Sequence, residues 1–144
     1  MKKAAGILFT DGKSILLLKR SPDSSEGGTW GVPGGGIKGH ETTLQNAIRE
    51  TKEEAGLAKI PGEQIGTHQC RNRTVEFTTY IYRVEKIFPV RVSKEHTSYE
   101  WVPLKNLSSK KLHPEFKKHL SEVLTLIRRK IRDFHEWSNL TTIL

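Results

Sequence analysis

Three glutamates in the first half of the chain have the residue type and the spacing needed for chemistry. Glu50, Glu53 and Glu54 fall within five residues, in a segment with the apolar periodicity of a helix. Residues three and four apart on a helix share one face, so the three carboxylates converge. Their mutual repulsion disfavours the helix unless a cation lies among them, and carboxylate oxygens suit hard divalent ions such as Mg²⁺ or Mn²⁺. The spacing therefore predicts a divalent-metal site.

Residues on either side of these glutamates extend the predicted site. Gly34–Gly36 is predicted to form a turn that lets the backbone approach a ligand, with a carbonyl on a metal or amides against a phosphate. Arg49 can pair with a carboxylate, and Glu41 lies near the helix start, where the helix dipole favours an acid. A metal beside phosphates, with a carboxylate that takes a proton from water, is a phosphate-hydrolysing arrangement. The alternative is an exposed acidic face paired with neighbouring lysines.

The elements that must position these residues indicate a mixed α/β domain, with helices packed on a sheet. Apolar runs predict strands at 4–10 and 14–19, joined by a hairpin turn at Asp11-Gly12. Apolar alternation predicts a strand at 74–84, and shorter strands are predicted at 88–92 and 99–104. Helical periodicity predicts helices at 41–55, ended by Gly56, and at about 114–136, with Pro114 in the first turn. The residues after this second helix, SNLTTIL, are predicted to form a tail.

Length and composition indicate one domain over residues 1–144 with a sizeable core. The net charge of +8 favours a polyanionic partner (a nucleotide, RNA, DNA or an anionic lipid) or serves only to keep the surface soluble. The single cysteine, Cys70, excludes an intramolecular disulfide, is expected in the core, and fits a cytoplasmic location. The apolar run Ala4–Phe9 is too short for a signal peptide, and no stretch reaches membrane-spanning length. The six histidines are scattered, and no pair has metal-ligand spacing.

The segment from Gly35 to Leu57 resembles the signature box of the Nudix hydrolases. It has Gly35, five residues, Glu41, seven residues, and then Arg-Glu-Thr-Lys-Glu-Glu-Ala-Gly-Leu. Only Thr51 departs from the family pattern, which has a bulky aliphatic there, and its methyl group can still pack. The preceding Trp30–Gly35 is similar to the family's approach to the box. The resemblance implies an α/β/α sandwich in which a mixed β-sheet lies between helices.

The resemblance also implies a divalent metal cofactor, Mg²⁺ or Mn²⁺, and roles for individual residues. The implied metal ligands are Glu50, Glu54, Glu53 and a carbonyl near Gly34. Glu53 is alternatively the base that activates water, while Arg49 and Glu41 hold the box carboxylates in place. Glu115, at the start of the terminal helix, is either a further catalytic acid reaching the metal or a first-turn acid that suits the helix dipole.

Candidate substrate-binding residues lie outside the box. Arg71 and Arg73 either reach phosphates or are solvated loop charges. Four aromatic residues can supply a shelf for a base or pack in the core, namely Trp30, Phe77, Tyr80 and Tyr82. Residues 110–132 carry eight Lys or Arg against two Glu, which is either a solvated helix face or an RNA-tracking surface.

The family cleaves a pyrophosphate bond in a nucleoside diphosphate linked to a further group. Because the chain is short, it resembles the small MutT-type members. The resemblance therefore implies an enzyme that hydrolyses a (d)NTP, an oxidised or non-standard purine nucleotide included, to the monophosphate and pyrophosphate. The alternatives are a pyrophosphohydrolase acting on RNA 5′ ends and a nucleotide-binding module without turnover.

Overall fold

A computed structural model describes the backbone of residues 1–143 and the side chains of residues 1–131; the side chains of Arg132 and Phe134, predicted to lie on the terminal helix, fall outside this range. The strands are β1 (Lys2–Thr10), β2 (Ser14–Arg20), β3 (Trp30–Gly31), β4 (Gly34–Gly36), β5 (Glu63–Arg71), β6 (Val75–Arg83) and β7 (His96–Pro103). The helices are α1 (Thr43–Ala55) and α2 (Pro114–Ile143), with a 3₁₀ helix at Leu104–Ser109 between β7 and α2.

All seven strands form one mixed sheet. The main path runs β3-β2-β1-β6-β5, while β4 pairs with β1 and β7 pairs with β2. Strands β1 and β6 are parallel from the pair Lys2–Val75 to the pair Thr10–Arg83, and the other pairings are antiparallel. The glycine strand β4 is thereby held against the centre of the sheet, beside the start of β1.

The core lies on both faces of the sheet, as alternation along the strands requires. On one face Leu8, Ile15 and Leu17 pack in a cluster with α2, to which the helix contributes Val123 and Ile127. The cluster on the opposite face includes Ala47 and Ile48 of α1 and several strand residues, namely Ala5, Ile7, Phe9 and Leu16. The predicted α/β/α sandwich with a mixed sheet is confirmed.

The turn predicted at Gly34–Gly36 is wrong. The three glycines form β4, and the glycines with positive φ lie elsewhere, the nearest being Gly39 with φ of 59°. Close packing explains why glycine is needed: a Cβ on Gly34 would lie 2.6 Å from the carbonyl oxygen of Ala5 and 2.7 Å from the Cα of Gly6. Gly34 therefore allows the backbones of β4 and β1 to approach closely, and the three glycines do not reverse the chain.

Two other strand predictions also differ from the structure. Residues 88–92 form no strand, because this segment crosses the end of α1, where the amide of Arg91 donates to the carbonyl of Ala55 at 3.0 Å. Its apolar residues still pack against the α1 side of the sheet. Strand β5 was not predicted, since its polar sequence EQIGTHQCR lacks a regular apolar alternation.

The helix ends differ by a few residues from the prediction. Helix α1 begins at Thr43, because Thr42 and Gln45 form a capping box, and it ends at Gly56, which is left-handed with φ of 65°. Thr51 is fully buried on its apolar face. The tail predicted at 138–144 is wrong as far as the structure describes it, since α2 continues to Ile143. None of the helices in the described part of the chain is long and apolar enough to cross a bilayer.

Candidate active site

The guanidinium of Arg49 orients three carboxylates at once. Its Nε donates to Oε2 of Glu41 at 2.6 Å and its Nη2 to Oε1 of the same residue at 3.1 Å. Its Nη1 lies 3.1 Å from Glu50 and 3.3 Å from Glu53. The hydrogen bonds from Arg49 hold the pKa of Glu41 below its usual value, and Glu41 and Glu50 in turn raise the pKa of Arg49. One cation thus contacts the carboxylates of Glu41, Glu50 and Glu53 and fixes their positions.

Asn46 connects this cluster to the glycine strand. It is fully buried on α1, its Nδ2 donates to the carbonyl of Gly35 at 2.8 Å, and its Oδ1 accepts from Nη2 of Arg49 at 2.9 Å. No sequence pattern predicted this role, although an asparagine between apolar positions of a helix, three residues before the arginine, was an available signal. Asn46 ties the helix to β4 and fixes the arginine.

Glu54 is the buried acid of the site. It is 4% exposed, and its Oε2 accepts a hydrogen bond from the amide of Gly34 at 2.7 Å. Burial, and to a smaller extent the charge of Glu50, raises the pKa of Glu54 to about 8 despite the Gly34 amide, which acts in the opposite direction. A buried carboxyl next to a second carboxylate is the environment that a cation relieves.

Glu50 lies directly against β4. A Cβ on Gly35 would be 2.7 Å from Cδ of Glu50, so the glycine leaves the space that the carboxylate occupies. Glu50 and Glu54 therefore both reach the same glycine strand from α1, one at Gly35 and one at Gly34. The oxygens gathered here belong to two carboxylates, which are ligands of the kind that suits Mg²⁺ or Mn²⁺.

A cavity of about 270 Å³ adjoins this carboxylate cluster, with Gly34 in its wall. It lies between the sheet and the first turns of α2. Its apolar wall is formed by Leu18, Val32, Val75, Phe77, Phe116 and Val123, and its polar lining includes Arg20, His68, Arg71, His96, His113 and His119. An apolar slot with a few polar groups is the kind of cavity in which proteins bind small molecules.

Two cavity histidines have a pKa below the ordinary value of an imidazole. Burial, with the positive charge of Arg20 as a second cause, lowers the pKa of His96 and of His113. His96 is 7% exposed, and its Nδ1 has no hydrogen-bond partner in the part of the chain that the structure describes. A neutral imidazole can both donate and accept a hydrogen bond. The sequence did not point to these residues.

Comparison with known proteins agrees with this geometry. The family model described as the NUDIX domain matches residues 1–124. The chain belongs to the Nudix family. A protein of Mycobacterium tuberculosis named putative 8-oxo-dGTP diphosphatase 3 is 32% identical over 124 residues, which is 78% of this chain and 57% of that protein's length. The CTP pyrophosphohydrolase of Escherichia coli is 30% identical over 97 residues, covering 67% of this chain and 71% of the relative.

The structure of a Nudix hydrolase from Mycobacterium smegmatis, RenU, superposes with a TM-score of 0.67 at 29% identity, covering 85% of each chain. The chain thus spans little more than half of the mycobacterial relative named above and most of the RenU structure. These proteins share the Nudix fold and family with the chain described here.

The predicted box residues do come together in this Nudix domain. Glu41, Arg49, Glu50 and Glu53 form one hydrogen-bonded cluster, and Glu54 lies beside it under Gly34. The amide of Gly34 donates a hydrogen bond to Glu54, while the predicted contact of the Gly34 carbonyl with a metal stays a prediction. The assignment of ligand and base roles among the glutamates likewise stays a prediction.

Glu115 lies in the cavity wall, on the first turn of α2. Its Oε1 accepts from Nδ2 of Asn72 at 3.3 Å, its amide donates to Nδ1 of His113 at 3.2 Å, and its Oε2 is 4.0 Å from Nε2 of His119. These contacts tie it to the cavity and to the helix start, so both predicted roles stay open.

The predicted substrate-binding residues separate into two groups. Arg71 and Phe77 line the cavity. Trp30 packs against the α2-side core with Nζ of Lys110 4.5 Å from its ring centroid, and Arg73 is exposed at the turn after β5. Tyr80 packs on the α1 side, its hydroxyl 2.6 Å from Oγ1 of Thr43, and Tyr82 packs there too. Among the residues that the structure describes, Trp30, Arg73, Tyr80 and Tyr82 are thus not brought to the cavity.

We expect the metal-free protein to lose stability as the pH rises, because Glu54 is held protonated. The folded pKa of about 8 exceeds the ordinary 4.5, so between these values the unfolded chain has released a proton that the folded protein keeps. The free energy of unfolding then falls by up to about 1.4 kcal/mol per pH unit from this group.

Thermal unfolding in EDTA across this pH range, for wild type and Glu54→Gln, measures the effect. The Tm of wild type should fall relative to that of the variant as the pH rises, and the difference should level off above the folded pKa. Parallel profiles would show that Glu54 titrates as an ordinary surface acid.

Proposed function

We propose that this protein is a Nudix pyrophosphohydrolase that uses Mg²⁺ or Mn²⁺ to hydrolyse a (d)NTP to a nucleoside monophosphate and pyrophosphate. The observation that carries the proposal is the convergence of Glu50 and Glu54 on the glycine strand, with Arg49 fixing the cluster. A cytoplasmic location, where free nucleotides are found, is part of the proposal. It is supported by the single cysteine of the chain.

Glu50 and Glu54 would hold the divalent ion, with Glu53 and the Gly34 carbonyl as further ligand candidates. When bound there, the ion supplies charge neutralisation and orientation for the phosphate oxygens. Arg49 and Glu41 are positioning residues in this proposal. The role of Arg49 is to hold carboxylates whose like charges would otherwise drive them apart.

The hydrolysis itself needs a proton acceptor. Water attacks phosphorus, the phosphoanhydride bond between the α- and β-phosphates breaks, and the proton of the water passes to a carboxylate while pyrophosphate leaves. We assign this acceptor to Glu53, because its side chain is 56% exposed and its contact with Arg49 is longer than that of Glu41. Glu53 is therefore accessible to water in a way that the buried Glu54 is not.

For the base, we favour an oxidised or otherwise non-standard purine. The cavity offers Phe77 and Phe116 as apolar surfaces and His96 as a buried group that still lacks a hydrogen-bond partner among the described residues. A base that forms a hydrogen bond with His96 should be preferred, by about 1–3 kcal/mol or about 5- to 150-fold, over a base that leaves His96 without a partner. The relative named as an 8-oxo-dGTP diphosphatase supports a purine, whereas the one named for CTP supports a pyrimidine.

A substrate panel tests this proposal. We expect the highest kcat/KM for a nucleoside triphosphate, with pyrophosphate as the product and no turnover without divalent metal. The panel contains canonical dNTPs, 8-oxo-dGTP, CTP, ADP-ribose, a diadenosine polyphosphate, a nucleotide sugar and 5′-triphosphorylated RNA. His96→Gln should reduce the preference among bases while leaving the metal requirement unchanged.

Other outcomes of the panel have distinct meanings. A best substrate among ADP-ribose, the dinucleotide and the nucleotide sugar contradicts the substrate class but leaves the chemistry standing. Preference for triphosphorylated RNA selects the RNA 5′-end alternative, which the basic residues of 110–132 would then serve. Tight nucleotide binding without turnover, with metal present, selects the binding module and contradicts the enzyme.

A further inference from the structure

A second group of metal-type ligands lies in the wall of the cavity, apart from the carboxylate cluster. His68 of β5 and His119 and Glu122 of α2 each offer a ligand atom, and these atoms lie within 4.8 Å of one another. Nε2 of His68 is 2.6 Å from Oε2 of Glu122, and Nδ1 of His119 is 3.9 Å from the same oxygen. The two imidazole rings are 5.5 Å apart, and His68 is 8% exposed.

We propose that His68, His119 and Glu122 form a binding site for a transition-metal ion of the Zn²⁺ type. Two imidazoles and one carboxylate suit Zn²⁺, whereas the all-oxygen set at the box suits Mg²⁺ or Mn²⁺. The protein would thus bind two kinds of divalent ion at two places, separated by ligand chemistry. This site does not depend on the proposed reaction.

The backbone already places the three side chains for such an ion. His119 and Glu122 are three residues apart on one face of α2, and that helix packs on β5, where His68 is located. Ligand atoms of a tetrahedral zinc ion are about 3.3 Å apart, which lies between the observed 2.6 and 3.9 Å separations. Small rotations of the exposed Glu122 and of His119 would therefore bring the atoms into range.

The remaining nitrogen of His119 lies near a carboxylate, the kind of group to which metal-binding histidines donate. Ring nitrogens that face away from a metal usually donate to a carboxylate or carbonyl, which fixes the tautomer and the ring orientation. Nε2 of His119 is buried without a hydrogen bond among the described residues, and Oε2 of Glu115 lies 4.0 Å from it. Glu115 is thus placed to orient His119 while Nδ1 binds the ion.

A simple ion pair between His68 and Glu122 explains less of this arrangement. It accounts for the 2.6 Å contact and for the pKa of Glu122, which the hydrogen bond from His68 lowers. It does not account for His119, whose ring stands beside that of His68 and whose Nδ1 faces the carboxylate. Two imidazoles turned toward one carboxylate form a set of three donors.

Isothermal titration of the tag-free, metal-stripped protein with ZnCl₂ tests the site, and CoCl₂ serves as a spectroscopic probe of coordination. We expect wild type to bind one Zn²⁺ at this site, to show intense visible bands of tetrahedral Co²⁺, and to gain thermal stability with Zn²⁺. His119→Gln and Glu122→Gln should each weaken this binding by at least about tenfold. The exposed His40→Gln is the matched control and should bind as wild type does.

Glu50→Gln separates this site from the carboxylate cluster, because it removes a box ligand and leaves His68, His119 and Glu122 intact. Retained Zn²⁺ binding in Glu50→Gln, with loss in Glu122→Gln, supports the proposal. Absence of Zn²⁺ binding in wild type overturns it, as does binding that is lost in Glu50→Gln but kept in Glu122→Gln. The side chain of Glu122 is 63% exposed, so its replacement does not threaten folding. Turnover with Mg²⁺ is a separate measurement, which tests only the proposed reaction.

Discussion

Glu54→Gln should lower kcat by at least about 10²-fold at saturating Mg²⁺, within the range seen when a metal ligand or a catalytic carboxylate is removed. Glutamine has the same shape, and its Oε1 can still accept the hydrogen bond that the Gly34 amide now donates to Glu54 at 2.7 Å. The substitution therefore removes the negative charge and leaves the packing almost unchanged. Steady-state kinetics against Mg²⁺ concentration measures the effect.

Folding should not suffer from this substitution. Because Glu54 is 4% exposed and lies near a second acid, an uncharged side chain is easier to bury, so the metal-free variant should melt no lower than wild type. Glu63→Gln, at an exposed position at the start of β5, controls for the loss of one negative charge elsewhere. Near-wild-type turnover of Glu54→Gln would mean that the buried acid is structural.

The parts of the site that could be predicted from sequence are those set by local geometry. Helical spacing predicts that Glu50, Glu53 and Glu54 lie close together on one helix, and the structure has them on α1, where Glu54 is buried together with Thr51 and Glu53 is exposed. A domain with helices packed on a sheet was also predictable, because several segments show apolar runs or alternation and both helices an apolar stripe, whereas the sandwich with a mixed sheet was implied by the family resemblance. These sequence patterns can be recognised without knowing which helices and strands are in contact.

The missed features all depend on contacts between distant segments. The Gly34 amide and Glu54 are 20 residues apart, and His68 and Glu122 are 54 residues apart. The spacing of the histidines along the chain therefore predicts no metal site, although β5 and α2 bring His68 and His119 together. The sequence predicts a turn at Gly34–Gly36 because glycines have no side-chain pattern by which a short strand could be recognised. The close approach of Gly34 to the backbone of β1 is visible only in the structure.

The positions of the aromatic residues of β6 also depend on contacts between distant segments. Alternation along β6 puts Phe77 and Tyr80 on opposite faces, but it does not say which face borders the cavity. That depends on which helix covers each face of the sheet. Since α2 lies on one side and α1 on the other, only Phe77 of these two reaches the cavity.

Arg49→Lys is expected to lower kcat/KM by about 10- to 100-fold and to raise the Mg²⁺ concentration needed for half-maximal rate, as changes in residues that orient metal ligands do. Lysine keeps the charge but offers one compact ammonium in place of a planar fork. The guanidinium contacts Glu41 through two nitrogens, Asn46 through Nη2, and Glu50 through Nη1. A single ammonium cannot reach all of these acceptors, so at least one carboxylate loses its fixed position.

Two measurements distinguish this positioning role from a merely structural one. The metal dependence should shift in Arg49→Lys, whereas a variant that is only less stable would keep the wild-type metal dependence in its folded fraction. Arg128→Lys, at an exposed position on α2, is the matched control and should leave both kinetics and metal dependence unchanged. An unchanged Mg²⁺ profile in Arg49→Lys, together with a lowered Tm, would assign Arg49 to stability alone. The carboxylates would then have to be held by the glycine strand and Asn46 without help from the arginine.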